Sequence, residues 1–204
     1  MKIEILSIKG EKTGKSVTLP ESIFGIEPNK HAVYLAIKQS LANQRQGTHD
    51  SLEKSTISGS TRKLKKQKGT GTARAGSIKN PLFKGGARVF GPHPRDYSQR
   101  LNKKVKELAR KSALSAKATD GKIVIVEDFT LEKPKTKELV GILSSLQLNG
   151  KKSILVLENQ DNALYLSGRN LPKHDVCAVK DLNTYQIVNA ENLIFSVSAV
   201  NSLS

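Results

Sequence analysis

Between Lys54 and Arg95 the chain places eleven Lys and Arg and no Asp or Glu in 42 residues. Side chains of this type at this density do one kind of chemistry, which is charge-assisted contact with a polyanion. A phosphate backbone is the obvious partner, because each cation that neutralises a phosphate releases condensed counterions. Arg62, Arg74, Arg88 and Arg95 offer planar forks for geometric anchoring, while Lys63, Lys65, Lys66, Lys79 and Lys84 act as point charges that neutralise. Seven glycines lie among them and large apolar side chains are few, so the stretch cannot build a core of its own. Ile78, Leu82, Phe83, Val89 and Phe90, with prolines at 81, 92 and 94, mark a folded base around Phe83 to Tyr97, below a thin tip at Gly69-Thr70-Gly71.

Other residues imitate reactive sites and fail on spacing. Gly10-Glu-Lys-Thr-Gly14-Lys15-Ser16 looks like a phosphate-binding P-loop but has three residues between its glycines instead of four. Val17-Thr18-Leu19-Pro20 follows it, which is no helix start, so no helix N-terminus would face a phosphate. Gly69-Thr70-Gly71 lacks the third glycine and the preceding strand of a dinucleotide fingerprint. Ser51 to Lys54 and Ser60 to Lys63 fit an S-x-x-K pattern without its companion motifs. His31, His49, His93 and His174 show no metal-ligand spacing and read as surface or phosphate-contacting residues. Cys177 sits in a strand pattern and reads as a small buried apolar residue. No carboxylate pair stands out. The expectation is a protein with no catalytic residues, no metal and no cofactor.

These cations must be positioned by folded flanks. Ile3 to Ile8 alternates as a strand, Gly10 and Gly14 punctuate a turn, and Val17 with Leu19 suggests a short return strand. Val33, Ile37 and Leu41, with Tyr34 beside them, recur at helical spacing after Pro28-Asn29, as far as about Arg45. About fifty residues without a period follow. Regularity returns at Asn102, an expected helix N-cap, with Val105, Leu108, Ala109, Ser112 and Ala116 facing inward and Lys103, Lys104, Lys106, Arg110 and Lys111 on the other faces. Strands are then expected at 122–126, 153–157, 175–179 and 193–197, and helices at 134–148, 161–167 and 183–188. Strands alternating with helices predict an α/β layered domain with a mostly parallel sheet. The chain reads as a single α/β domain over 1–204 with a long basic loop, 46–98, inserted between its first two long helices.

Bulk properties agree. The net charge is +16, and the stretch from Arg45 to Lys111 holds eighteen basic residues against four acidic ones. A charge so concentrated signals one polyanion-binding element on an otherwise near-neutral body. One cysteine allows no internal disulfide, and no apolar run reaches signal-peptide or membrane-spanning length, so a cytoplasmic location without a membrane partner is expected. Trp is absent and aromatics are scarce, which argues against a platform of stacked rings for single strands.

Several blocks in order resemble the L-four family of bacterial large-subunit ribosomal proteins. They are Arg45-Gln46-Gly47-Thr48, Gln67-Lys68-Gly69-Thr70-Gly71, Ala73 to Ile78, Phe90-Gly91-Pro92, Pro94-Arg95-Asp96-Tyr97 and Asn102 to Ser115. Lys133 to Lys137 and Ala163 to Leu171 extend the similarity into the rest of the chain. The resemblance implies a structural constituent of the large ribosomal subunit that binds its 23S-type rRNA directly and early in assembly. It implies a loop that reaches the nascent-peptide exit tunnel, with Gln67, Lys68, Gly69, Thr70 and Gly71 at its tip. It implies neighbouring ribosomal proteins as partners, including the other protein of the tunnel constriction, and no small-molecule substrate. Arg45, Gln46 and Thr48, the loop cations, and Lys103 and Lys104 are the rRNA-binding residues so implied. Some members also repress their own operon through its messenger leader, an alternative role. A nucleotide-dependent RNA-modifying enzyme is a further alternative, disfavoured by the missing phosphate loop. The chain departs from the family's pattern at Leu64-Lys65, where many relatives have Pro-Trp, at Thr72, where Arg is common, and at Ala87-Arg88.

Overall fold

The structure, a computed structural model, describes residues 1–131 and 133–203. The chain divides into two compact units, Met1–Leu41 with Arg100–Ser204, and Ala42–Gln99.

The first unit is built on six strands: β1 (Lys2–Leu6), β2 (Lys12–Thr18), β3 (Ile123–Val126), β4 (Ser153–Leu157), β5 (His174–Ala178) and β6 (Asn192–Ser196). They lie in the order β2-β1-β3-β6-β4-β5. Among the described residues only the β1–β2 pair is antiparallel. The expected α/β class with a mostly parallel sheet is therefore observed. The P-loop lookalike resolves into a turn and β2: Gly10 has φ +82° and β2 begins at Lys12, so no helix follows the glycines.

The helices are α1 (Glu21–Phe24), α2 (Lys30–Asn43), α3 (Lys103–Thr119), α4 (Thr136–Ser145), α5 (Asn162–Gly168), α6 (Thr184–Asn189) and α7 (Val197–Ser202). Each face of the sheet has its own core. On one, Ile125, Val156, Leu193 and Phe195 pack with Ala113 and Leu114 of α3, Ile187 of α6 and Ala199 of α7. On the other, Leu155, Val176 and Ile194 pack with Leu139 and Leu143 of α4 and Leu164 of α5. Interior β4 is buried along its whole length, as a parallel strand covered on both faces must be, which explains its unbroken SILVL run. Local capping sets several helix starts. Asp161 accepts from the Ala163 amide, and Asn183 and Gln186 form a reciprocal capping box.

Two helices bury faces that differ in part from their apolar spacing. In α2 the buried residues are Ala32, Ala36 and Gln39, while Leu41 and Tyr34 are exposed. Ala32 and Ala36 cluster with Ala109 of α3, with Leu101 and Val105 alongside. In α3, Ala109 and Ser112 are buried as expected, but Leu108 is exposed and Ala116 is half-buried. The buried face also takes in Ala113, Leu114, Ser115 and Ala118, and Arg110 turns partly inward to donate to the Val179 carbonyl (2.5 Å). Ser112 Oγ accepts from the Asn29 amide, and the Ser115 hydroxyl donates to the Ile26 carbonyl. Asn102 occupies the N-cap position of α3 with extended backbone, but its side chain makes no cap hydrogen bond.

Candidate nucleic-acid interface

The second unit contains no helix or strand from residue 44 to its end, yet it is not shapeless. Its outgoing and returning arms are tied at a series of levels. The Arg95 amide donates to the Gly47 carbonyl (3.2 Å), and the Arg88 amide to the Leu52 carbonyl (3.0 Å). Further out, the Ser77 hydroxyl donates to the Ser60 carbonyl (2.8 Å) and the Leu64 amide to the Gly76 carbonyl (3.0 Å). Lys65 Nζ donates to Thr72 Oγ1 (2.9 Å) just below the tip. The arms therefore run antiparallel and close through Gln67–Gly71. Both tip glycines have positive φ, +82° at Gly69 and +63° at Gly71, with open space where a Cβ would stand. Glycine is needed there for backbone conformation, not for room inside this chain.

The base is held by Tyr97. The Arg45 guanidinium lies 3.7 Å from its ring centroid and that of Arg95 4.5 Å, a paired cation–π contact. His49 Nε2 is 2.7 Å from the Tyr97 hydroxyl. Gly47 (φ +68°) passes so close beneath that an added Cβ would strike the Arg95 carbonyl and come within 3.1 Å of the Tyr97 ring. Next to it, the Ser98 hydroxyl (2.6 Å) and amide (2.8 Å) hydrogen-bond Asp96 and lower its carboxyl pKa, keeping it ionised.

The unit carries twelve Lys and Arg against Asp50, Glu53 and Asp96. His93 faces Asp50 (3.8 Å) and Glu53 (3.3 Å), so two of the three acids are turned toward a histidine of the returning arm rather than toward the outer cations. Arg62, Lys63, Lys65, Lys66, Lys68, Arg74, Lys84, Arg88 and Arg95 are all exposed, whereas Lys79 is half-buried, its stem passing Gly59. Arg62, Lys63, Lys65 and Lys66 gather with Leu64 and Ile78 around a concavity of about 610 Å³. Lys63 Nζ hydrogen-bonds Gln67 at the tip. Gln46 and Thr48 are exposed beside Gly47.

Phe90 departs from the expected folded base. Phe83 is half-buried, but Phe90 is 100% exposed. The residues that knit the base are Gly47, His49 and Tyr97, whose partnership across some fifty residues leaves no local spacing signal. In the first unit, Lys103 and Lys104 occupy the exposed first turn of α3, which contains no acidic residue. Cations at the positive end of a helix dipole are unfavourable unless an anion sits nearby.

The described residues give the nucleotide-site alternative no geometric support. His174 Nδ1 lies 2.6 Å from Ser153 Oγ, its pKa lowered by burial and by Lys173, but the two are register partners at the start of adjacent strands, and the Asp175 carboxylate accepts from Gln186. Among the described residues no group of three or more His, Cys, Asp or Glu is arranged to hold a metal ion. Likewise no described helix is long and apolar enough to cross a membrane.

Comparison with known proteins agrees with this surface. The ribosomal protein L4/L1 family matches residues 17–204. The chain is 58% identical over 200 residues to the large ribosomal subunit protein uL4 of Parabacteroides distasonis, covering 98% of this chain and 96% of that one. It is 58% identical over 194 residues to the protein of the same name from Flavobacterium psychrophilum, covering 95% and 93%. With that of Amoebophilus asiaticus it shares 52% over 204 residues, covering 100% and 97%. With the family spanning nearly the whole chain at this identity, the chain belongs to the ribosomal protein L4/L1 family, structural proteins of the large ribosomal subunit and not enzymes.

Proposed function

We propose that the antiparallel arms of residues 42–99 bind large-subunit rRNA directly, that this binding occurs early in subunit assembly, and that the Gln67–Gly71 tip lines the nascent-peptide exit tunnel. The observation that carries this reading is the pairing of the arms through backbone and short polar side chains, which leaves nearly every cation of the stretch exposed and unneutralised. Arms of this kind have no core to lose and can lie between RNA helices with phosphate on both sides. Arg62, Arg74, Arg88 and Arg95 anchor by paired hydrogen bonds, while Lys63, Lys65, Lys66, Lys68, Lys79 and Lys84 neutralise. Arg45 serves twice, bracing Tyr97 and facing phosphate, with Gln46 and Thr48 as polar neighbours. Lys103 and Lys104, with the free amides at the start of α3, take a further phosphate. Leu64-Lys65 adds one charge where many relatives have Pro-Trp, strengthening phosphate attraction and removing an indole. Neighbouring ribosomal proteins, including the other protein of the tunnel constriction, complete the contacts.

A photo-reactive amino acid at Thr70 tests the placement. In assembled subunits carrying a stalled nascent chain, it should cross-link to that chain and to tunnel rRNA. If Thr70 gives neither product while the same group at Arg74 cross-links rRNA, the arms bind RNA but the tip is not at the tunnel.

A further inference from the structure

Phe90 is the one phenylalanine of five that is fully exposed. Phe24 and Phe195 are buried and meet edge to face at 6.4 Å, and Phe83 and Phe129 are half-buried. No ring or cation contact among the described residues reaches Phe90. Yet the backbone around it is pinned on both sides. The Arg88 amide donates to the Leu52 carbonyl (3.0 Å), and the Ser51 hydroxyl donates to the Pro92 carbonyl (3.4 Å). Between these two ties, Gly91 lies so close to Ser51 that a Cβ there would collide with its hydroxyl. The ring is thus held out by a braced segment.

A bare ring on a tied backbone among exposed cations has a specific complement. The cations recruit a phosphate backbone, and the flat apolar face on that same surface suits the other half of a nucleotide. We propose that Phe90 is a stacking site for one unpaired base of the rRNA bound by the 42–99 arms. The inference rests on the proposed rRNA binding and adds a base contact to what is otherwise a set of phosphate contacts. A single ring is not a platform that tracks a strand, so the scarcity of aromatics does not oppose it. Arg88, two residues away and exposed, is placed to hold the phosphate next to the stacked base.

The test is the affinity of the full-length protein for purified large-subunit rRNA, measured by filter binding for wild type and for Phe90→Ala, Phe90→Leu and Phe90→Trp. Removing a base–aromatic stack should weaken binding roughly five- to 150-fold. Phe90→Ala and Phe90→Leu should both show that loss, Phe90→Trp should bind like wild type, and the salt dependence should be unchanged because no charge is removed. Since the ring touches nothing, all four proteins should melt alike. Equal binding by Phe90→Ala overturns the proposal. So does Phe90→Leu binding like wild type while Phe90→Ala is weak, since this means an apolar contact and not a stack. Full rRNA affinity of Phe90→Ala with loss from assembled subunits assigns the ring to a protein neighbour and also overturns it. Failure of wild type to bind rRNA at all is a different result, and it refutes the proposed function itself.

Discussion

Replacing Gly47 with alanine should open the base of the arms without unfolding the rest of the protein. Gly47 has φ +68°, which costs an L-residue about 1–2 kcal/mol. Its new Cβ would also strike the Arg95 carbonyl and crowd the Tyr97 ring, so the returning arm must move. That movement breaks the Arg95-to-Gly47 hydrogen bond, worth about 0.5–1.5 kcal/mol net. It also loosens two exposed cation–π contacts of about 0.5–1 kcal/mol each. These terms are not additive, and a realistic total is about 2–4 kcal/mol. An opened population rising by that amount increases by roughly 30- to 800-fold. Amide hydrogen exchange at Arg95 reads it directly, with protection expected to fall by about two orders of magnitude while β4 and β6 amides are unchanged. rRNA affinity should fall by no more than the same factor, because binding selects the closed base. Wild-type exchange at Arg95 in Gly47→Ala, with an unshifted Tyr97 ring by NMR, would refute the reasoning.

Gly168→Ala should lower the melting temperature by a few degrees, since its Cβ would lie 2.7 Å from Val176 Cγ2 and overpacking costs about 1–3 kcal/mol; an unchanged melting temperature would show that Val176 yields freely. Burial, then Asp175 and Asp181, push the Cys177 thiol up from 9.0 to about 12. The unfolded chain therefore releases this proton first, and the thiol's contribution to stability is lost as pH rises from about 9 toward about 12. Cys177 is half-buried rather than fully buried as its strand pattern suggests; iodoacetamide at pH 8 should still label the native protein more slowly than the urea-unfolded one, and equal rates would contradict the raised thiol pKa.

Much of this architecture was legible because its signals are local. The short apolar runs at 123–126 and 153–157 are strands as expected, the run expected at 193–197 is a strand at 192–196 with Val197 opening α7, and Asp161 and Asn183 announce helix starts. Helices α1 and α7 were not legible, since four and six residues are too few to show a 3.6-residue period. In α2 the larger apolar residues picked out Val33, which packs against the core, and half-buried Ile37, but they also picked out exposed Leu41 and passed over buried Ala32 and Ala36. Ala32 and Ala36 pack with Ala109, Leu101 and Val105 in a small cluster of their own. In the arms, charge and glycine content revealed the kind of partner, and order of motifs revealed the family. The Arg45–Tyr97–Arg95 brace was hidden, because its members lie about fifty residues apart and meet only in the fold. Phe90 was misread as part of the base for the opposite reason: an apolar residue in a charged stretch suggests burial, and this one is bare.

The central claim is that the exposed cations of the arms meet rRNA phosphates together. It is tested most directly by titrating salt against the affinity for protein-free large-subunit rRNA. If about ten of these cations are engaged, log K should fall against log salt with a slope of about −7 to −9. A slope near −2 would mean that roughly two or three phosphates are held, and would contradict it.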